Sequence, residues 1–160
     1  MTRVITIDPG DHTGTLRSWT RIGIRPSDQF MHLGKTLVLP DMRKELWNML
    51  EEFQPNVVVF ERFALRAASA VKQTGSTFLV CEIIGIVKLW SELHPEVELV
   101  ELQPANKEYC GFSPNPKDPH YAEIQMDNGE KITEHVRDTM RLFSYWKLFG
   151  SRFKNKKHTI

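Results

Sequence analysis

Apolar and polar positions change rhythm along this chain in an order that sorts it into strands and helices. "RVITID" (Arg3–Asp8) is a short apolar run closed by an acid, and the "PGDHTG" that follows is turn chemistry. From Thr15 to Leu39, β-branched and aromatic residues recur between polar ones, as in "LRSWTRIGI" and "FMHLGKTLVL". That pattern predicts two more strands, antiparallel, with "RPSDQ" between them. Pro40 and Asp41 interrupt it, and the spacing of Met42, Leu46, Met49, Leu50 and Phe53 predicts a helix with Asp41 as its N-cap. "NVVVFE" is the all-apolar signature of a central strand buried on both faces. From Leu65 to Leu93 the spacing is helical again, and "STFLVCEIIGIVKLW" is too apolar to face water on any side. It is either the central helix of the core or a helix with one flank at a subunit interface. "VELVEL" alternates as a half-exposed strand ended by Pro104, Ala122–Asn128 reads as irregular or edge-like, and Ile132–Phe149 makes a last long helix.

Three strands, helix, strand, helix, strand, helix is an α/β order, a mixed sheet with helices on its faces. At 160 residues the chain is one domain over 1–150, followed by a basic tail over 151–160. Hydrophobic content of 41% and charged content of 26% are ordinary for a globular protein. No stretch reaches the roughly 18 apolar residues of a membrane span, and no signal-peptide pattern opens the chain. Cys81 and Cys110 form no CxxC pair, which argues against structural zinc and for reduced thiols in a cytoplasmic setting. A net charge of +1 does not announce a nucleic-acid binder, but "KLFGSRFKNKKHTI" holds Lys147, Arg152, Lys154, Lys156 and Lys157 without an acid. Such a tail is a phosphate-seeking arm or only a solvated end.

The acids that close strands carry the candidate chemistry. Asp8 ends the first strand and Glu61 ends "NVVVFE". As parallel neighbours these strands would lie about 4.8 Å apart. Both carboxylates would then sit at the carboxyl edge, where open α/β sheets bind ligands. Two carboxylates that close need a compensating charge, and a divalent cation supplies it. In the last helix His135 and Asp138 are three apart and share a face, which continues through the core-like Leu142, Tyr145 and Phe149. Oxygen ligands from Asp8, Glu61 and Asp138 suit Mg²⁺ or Mn²⁺. Plainer alternatives exist for each piece: Asp-Pro-Gly as a turn, Glu61 as a surface carboxylate, Asp138 paired with Arg141 or Arg137. The conjunction of three acids where the topology converges favours the site.

"IDPG" followed by "TG", then an apolar strand ending "FE", then a late helix with "HxxD", resembles the RuvC family of Holliday-junction resolvases over roughly Val4 to Phe149. The resemblance implies an RNase H-like fold, a five-stranded mixed sheet flanked by helices on both faces. It implies metal ligands at Asp8, Glu61, His135 and Asp138, with two Mg²⁺ or Mn²⁺ ions per site and no organic cofactor. Two ions about 3.5–4 Å apart suit in-line attack of water on a phosphodiester. The implied partners are four-way and other branched DNA and a second copy of the chain, since two symmetric cuts call for a two-fold homodimer. The missing "ADA" run after the final acid fits a divergent branch, acting in the cytoplasm of a bacterial or virus-infected cell.

DNA contacts are expected past Glu61 from Arg62, Arg66, Lys72, Gln73 and Ser76, from Lys107 after Pro104, and from Arg152, Lys154, Lys156 and Lys157 in the tail. Phe63 is either core or, as the resemblance implies, a wedge against the bases of the junction. Rival readings are a structure-selective nuclease for flaps and forks, a binding module without catalysis, and an ATPase of the actin-like type. The last normally spans two such domains.

Overall fold

The computed structural model of the chain describes residues 1–20, 30–63, 79–103 and 124–150. Within them the elements run β1 (Thr2–Asp8), β2 (Thr13–Thr20), β3 (Met31–Leu37), α1 (Met42–Phe53), β4 (Val57–Glu61), α2 (Leu79–Leu93), β5 (Glu98–Leu102), β6 (Ile124–Met126) and α3 (Glu134–Phe149). A 3-10 turn over Asp127–Gly129 links the last strand toward α3. The sheet is ordered β5-β4-β1-β2-β3-β6. β1, β2 and β3 form an antiparallel meander, while β4 runs parallel to β1, β5 parallel to β4, and β6 parallel to β3.

This is the α/β mixed sheet expected from the sequence, with a sixth strand added to the five. The segment read as irregular or edge-like closes the far edge through three residues, His32, Leu33 and Gly34 pairing with Ile124, Gln125 and Met126. Its apolar signal is only Ile124 and Met126, which turn inward. Gly34 leaves them the room: a Cβ there would lie 2.6 Å from Val136 Cγ1 and 2.9 Å from Met126 Sδ.

Strand side chains alternate between faces, and the two faces have different covers. Val4, Leu16, Val57, Val59, Val100 and Leu102 pack against Val136, Met140, Leu142, Phe143 and Trp146 of α3. Ile5, Ile7, Leu37, Val58 and Phe60 pack against Met42, Leu46 and Leu50 of α1 and Ile83, Val87 and Trp90 of α2. Each fully buried side chain of this kind contributes roughly 1.5–3 kcal/mol. Among the described residues helices therefore cover both faces, α3 on one side and α1 with α2 on the other.

Two local expectations need correcting. Asp41 precedes α1 but makes no side-chain cap; the first turn is held by its carbonyl, which accepts from the Glu45 amide at 2.8 Å. And α2 does meet water. Leu79, Ile83, Val87 and Trp90 face the core, while Cys81, Gly85, Leu89 and Leu93, at four-residue spacing, are exposed. No described helix is long and apolar enough to cross a membrane.

Candidate active site

The alternation that builds the core also aims the acids. Ile7 and Phe60, paired across the parallel β1–β4 ladder, point to the α1/α2 side. One residue on, Asp8 and Glu61 stand side by side and point to the α3 side. Across β2 and β3 the same row continues, because Asp8 pairs with Gly14 and Gly14 with Thr36. Glu61, Asp8, Gly14 and Thr36 thus form one line across four strands, two carboxylates followed by a residue without a side chain and a hydroxyl.

The first turn of α3 lies over that line. At Gly14 the helix backbone is so close that a Cβ would run into the His135 carbonyl, with the carbonyl carbon at 2.6 Å. At Thr36 the hydroxyl lies 2.6 Å from Thr133 Oγ1, and Thr133 is the α3 N-cap, accepting from the Val136 amide at 3.2 Å. Sequence explains both contacts: glycine permits the approach, and threonine supplies an oxygen to an otherwise orphaned helix donor. The result sets His135 in the first turn of a helix, at its positive end and over the β2 partner of Asp8, with Asp138 three residues further along the same helix.

The β1–β2 turn brings a fifth group that the pattern reading left out. The ring of His12 stacks on that of His135, centroids 5.4 Å apart and planes within 7°. His12 lies in the opening "DPGDHTG", but nothing in that string says that it meets a helix more than a hundred residues away. Only the Asp8–Gly14 register, with Gly14 against His135, reveals it.

Three carboxylates and an imidazole are a donor set that fits a hard divalent cation with Mn²⁺-like tolerance for nitrogen. Glu61 Oε2 is shielded from solvent. The side chains are not closed into a cage, and among the described residues no three His, Cys, Asp or Glu groups are arranged to hold an ion. Asp138 instead meets Arg141, Oδ1 to guanidinium nitrogen 3.6 Å. A partly exposed pair of this sort contributes only ~0.2–1 kcal/mol. The plainer alternative considered for Asp138 is therefore present, and it is weak enough to be displaced.

Of the expected DNA contacts, Arg62 is exposed beside Glu61, its amide bonded to the Leu102 carbonyl at 2.7 Å, and Phe63 is half-buried. Arg66, Lys72, Gln73, Ser76 and Lys107, with Arg152, Lys154, Lys156 and Lys157 of the tail, lie outside the described residues.

No family model and no curated protein sequence matches this chain. Solved structures do. A Thermus thermophilus RuvC in complex with Holliday junction substrate superposes with a TM-score of 0.63 at 12% identity, over 94% of this chain and 96% of that one. The yeast mitochondrial Holliday junction resolvase gives 0.60 at 14% identity, over 98% and 82%. The fowlpox virus Holliday junction resolvase gives 0.62 at 11% identity, over 92% and 99%. The chain has the RNase H-like fold of RuvC-type resolvases along nearly its whole length.

Proposed function

We propose that this chain is a divalent-metal-dependent endonuclease of the RuvC type that resolves four-way DNA junctions by paired cuts. The observation that carries the reading is the row Glu61–Asp8–Gly14–Thr36 with the first turn of α3 laid across it. That row sets Asp8 beside Glu61 and His135 over Gly14, which supports a shared site that Asp138, three residues on from His135, would complete. Nuclease chemistry on this fold asks for that convergence, and a fold kept only for binding does not.

In this reading Asp8, Glu61 and Asp138 hold the cations through oxygen, with His135 as a nitrogen ligand or a contact to the scissile phosphate. Bound there, a pair of divalent ions lowers the pKa of the attacking water and stabilises the leaving 3′ oxygen. Asp8, on the central strand and flanked by Glu61 and the α3 turn, is the residue placed to serve both ions. Releasing Asp138 from Arg141 frees a guanidinium beside the site, where a DNA phosphate is its natural new partner. Arg62, exposed next to Glu61, lies on the same edge.

A four-way junction has two-fold symmetry, so two matched cuts call for a two-fold pair of sites. The exposed stripe of Cys81, Gly85, Leu89 and Leu93 on α2 supports such a pair. Leu89 and Leu93 are 51% and 60% exposed, beside the exposed Glu82, Lys88 and Glu92 that would rim such a contact.

The decisive assay incubates the protein with a labelled mobile four-way junction, a flap and a linear duplex, in Mn²⁺ and in Mg²⁺. Symmetric nicks on the junction alone, with Mn²⁺ at least as effective as Mg²⁺, are expected. Equal cutting of flap and junction would make the chain a general branched-DNA nuclease. No cutting of any of the three would defeat the proposal.

A further inference from the structure

We propose that His12 is a positioning residue, whose ring holds the imidazole of His135 in the orientation the metal site uses. This inference rests on the nuclease reading above and, of its two roles for His135, on the nitrogen ligand.

The His135 backbone is settled by the Gly14 contact and by the Thr133 cap two residues before it. Its side chain still turns about two bonds, and ordering it upon cation binding costs entropy. A flat partner within 7° of parallel at 5.4 Å removes most of that freedom beforehand.

The partner is itself held. Thr13, the next residue after His12, bonds Gly10 twice, its Oγ1 3.0 Å from the Gly10 carbonyl oxygen and 3.4 Å from the Gly10 amide nitrogen. The same hydroxyl lies 3.4 Å from the buried Met42 Sδ. The turn carrying His12 is thus tied both to itself and to the start of α1. His12 is exposed, so core packing does not explain why its ring lies flat on another imidazole. Positioning does. Groups that orient a metal ligand from behind typically change metal affinity 10–100-fold when removed.

The test compares wild type, His12→Ala and His12→Phe, without DNA. Mn²⁺ binding is followed by the loss of the free-ion electron paramagnetic resonance signal, and the metal-free His135 ring protons by NMR. Melting temperatures of both variants, at an exposed turn position, should match wild type. His12→Ala should weaken Mn²⁺ binding about tenfold and shift the His135 ring protons as the stacked ring is lost. His12→Phe, which keeps a flat ring but no nitrogen, should restore affinity to within about twofold. Wild-type affinity in His12→Ala overturns the inference. So does a Phe variant as weak as Ala, which would make a His12 nitrogen the active group. A wild-type protein that takes up no Mn²⁺ defeats the metal centre and this inference together, and is told apart by the wild-type titration alone.

Discussion

The two faces of the sheet are built from the same strands and serve different ends. Over β1 and β4, the side covered by α1 and α2 is hydrocarbon, Ile5, Ile7, Val58 and Phe60 against Leu46, Leu50, Ile83 and Val87, and its buried hydroxyls, Thr13 and Thr15, lie on β2, away from the acids. The side covered by α3 mixes its apolar contacts with polar groups. Thr6, Ser18, His32 and Thr139 are buried there, and the row ends in Asp8 and Glu61. Polar groups in a core need partners, and this face supplies several, such as Ser18 Oγ with His32 Nδ1 at 2.8 Å and Thr139 Oγ1 with the Val136 carbonyl at 2.6 Å. One face therefore holds the chain together while the other holds reactive groups in place. Mutations on the two should dissociate stability from activity.

The sharpest dissociation pairs Asp8→Asn with Leu46→Ala. Asp8→Asn should lower junction cleavage by about a thousandfold or more, on the order of 4 kcal/mol of transition-state stabilisation. Its melting temperature should hold, and junction binding should be kept or improved, since a negative charge near phosphate is gone. Leu46→Ala, at a fully buried position of α1, should cost roughly 2–5 kcal/mol of folding stability. Cleavage per folded molecule should stay near wild type. Paired denaturant melts and single-turnover cleavage read both quantities. Normal cleavage by Asp8→Asn would sink the site assignment.

Gly14→Ala tests where the two roles meet. The added methyl would strike the backbone of α3 at His135, and a helix backbone cannot rotate away as a side chain can. A loss of about 3 kcal/mol, the upper end of the overpacking range, is expected. Cleavage should fall further than that loss of folded protein explains, because the displaced turn carries two of the four site residues. A Gly14→Ala protein with wild-type stability and rate would mean that α3 does not lie on this row.

Much of this was readable in the sequence because the relevant signals are local. The all-apolar "VVVF" reads as an inner strand that Glu61 ends, "VITI" as another that Asp8 ends, and the i, i+3 spacing of His135 and Asp138 puts them on one helical face. What stayed hidden depends on contacts between distant segments. β6 carries three residues, too few for a periodic signal, and exists because Gly34 leaves a space for it. Asp41 resembled a cap, yet Thr133 is the threonine whose hydroxyl caps a helix. His12 looked like turn filler until the register put it against α3.

His32 offers a gentler comparison, since it is a buried histidine of the polar face. Burial, and secondarily the Lys147 ammonium, push its pKa down from 6.5 to about 4. Between those values the unfolded chain takes up a proton that the native chain refuses. Its contribution is therefore whole above pH 6.5 and declines as pH falls toward 4. The slope is about 1.4 kcal/mol per pH unit, on the order of 3 kcal/mol across the window. His32→Asn removes the titration and leaves every carboxylate unchanged, so the wild-type minus variant difference isolates it. Parallel stability curves from pH 4 to 6.5 would show that His32 is not held neutral.

Gly85→Ala should have the smallest effect and the opposite sign. Among the described residues no atom lies within 4 Å of where its Cβ would be, so none of them is displaced. Alanine is favoured over glycine inside a helix by roughly 0.8–1 kcal/mol. The monomer should therefore gain up to about that much, seen in a melt at low protein concentration. The glycine then costs stability at a position where the fold makes no use of it, which fits a use between copies. If a second chain approaches α2 closely along Cys81, Gly85, Leu89 and Leu93, the new methyl stands in its way. Sedimentation equilibrium should then show weaker self-association even as the monomer melts higher. A higher melt with association unchanged would move the two-fold axis off this stripe, leaving its exposed leucines without the role assigned to them.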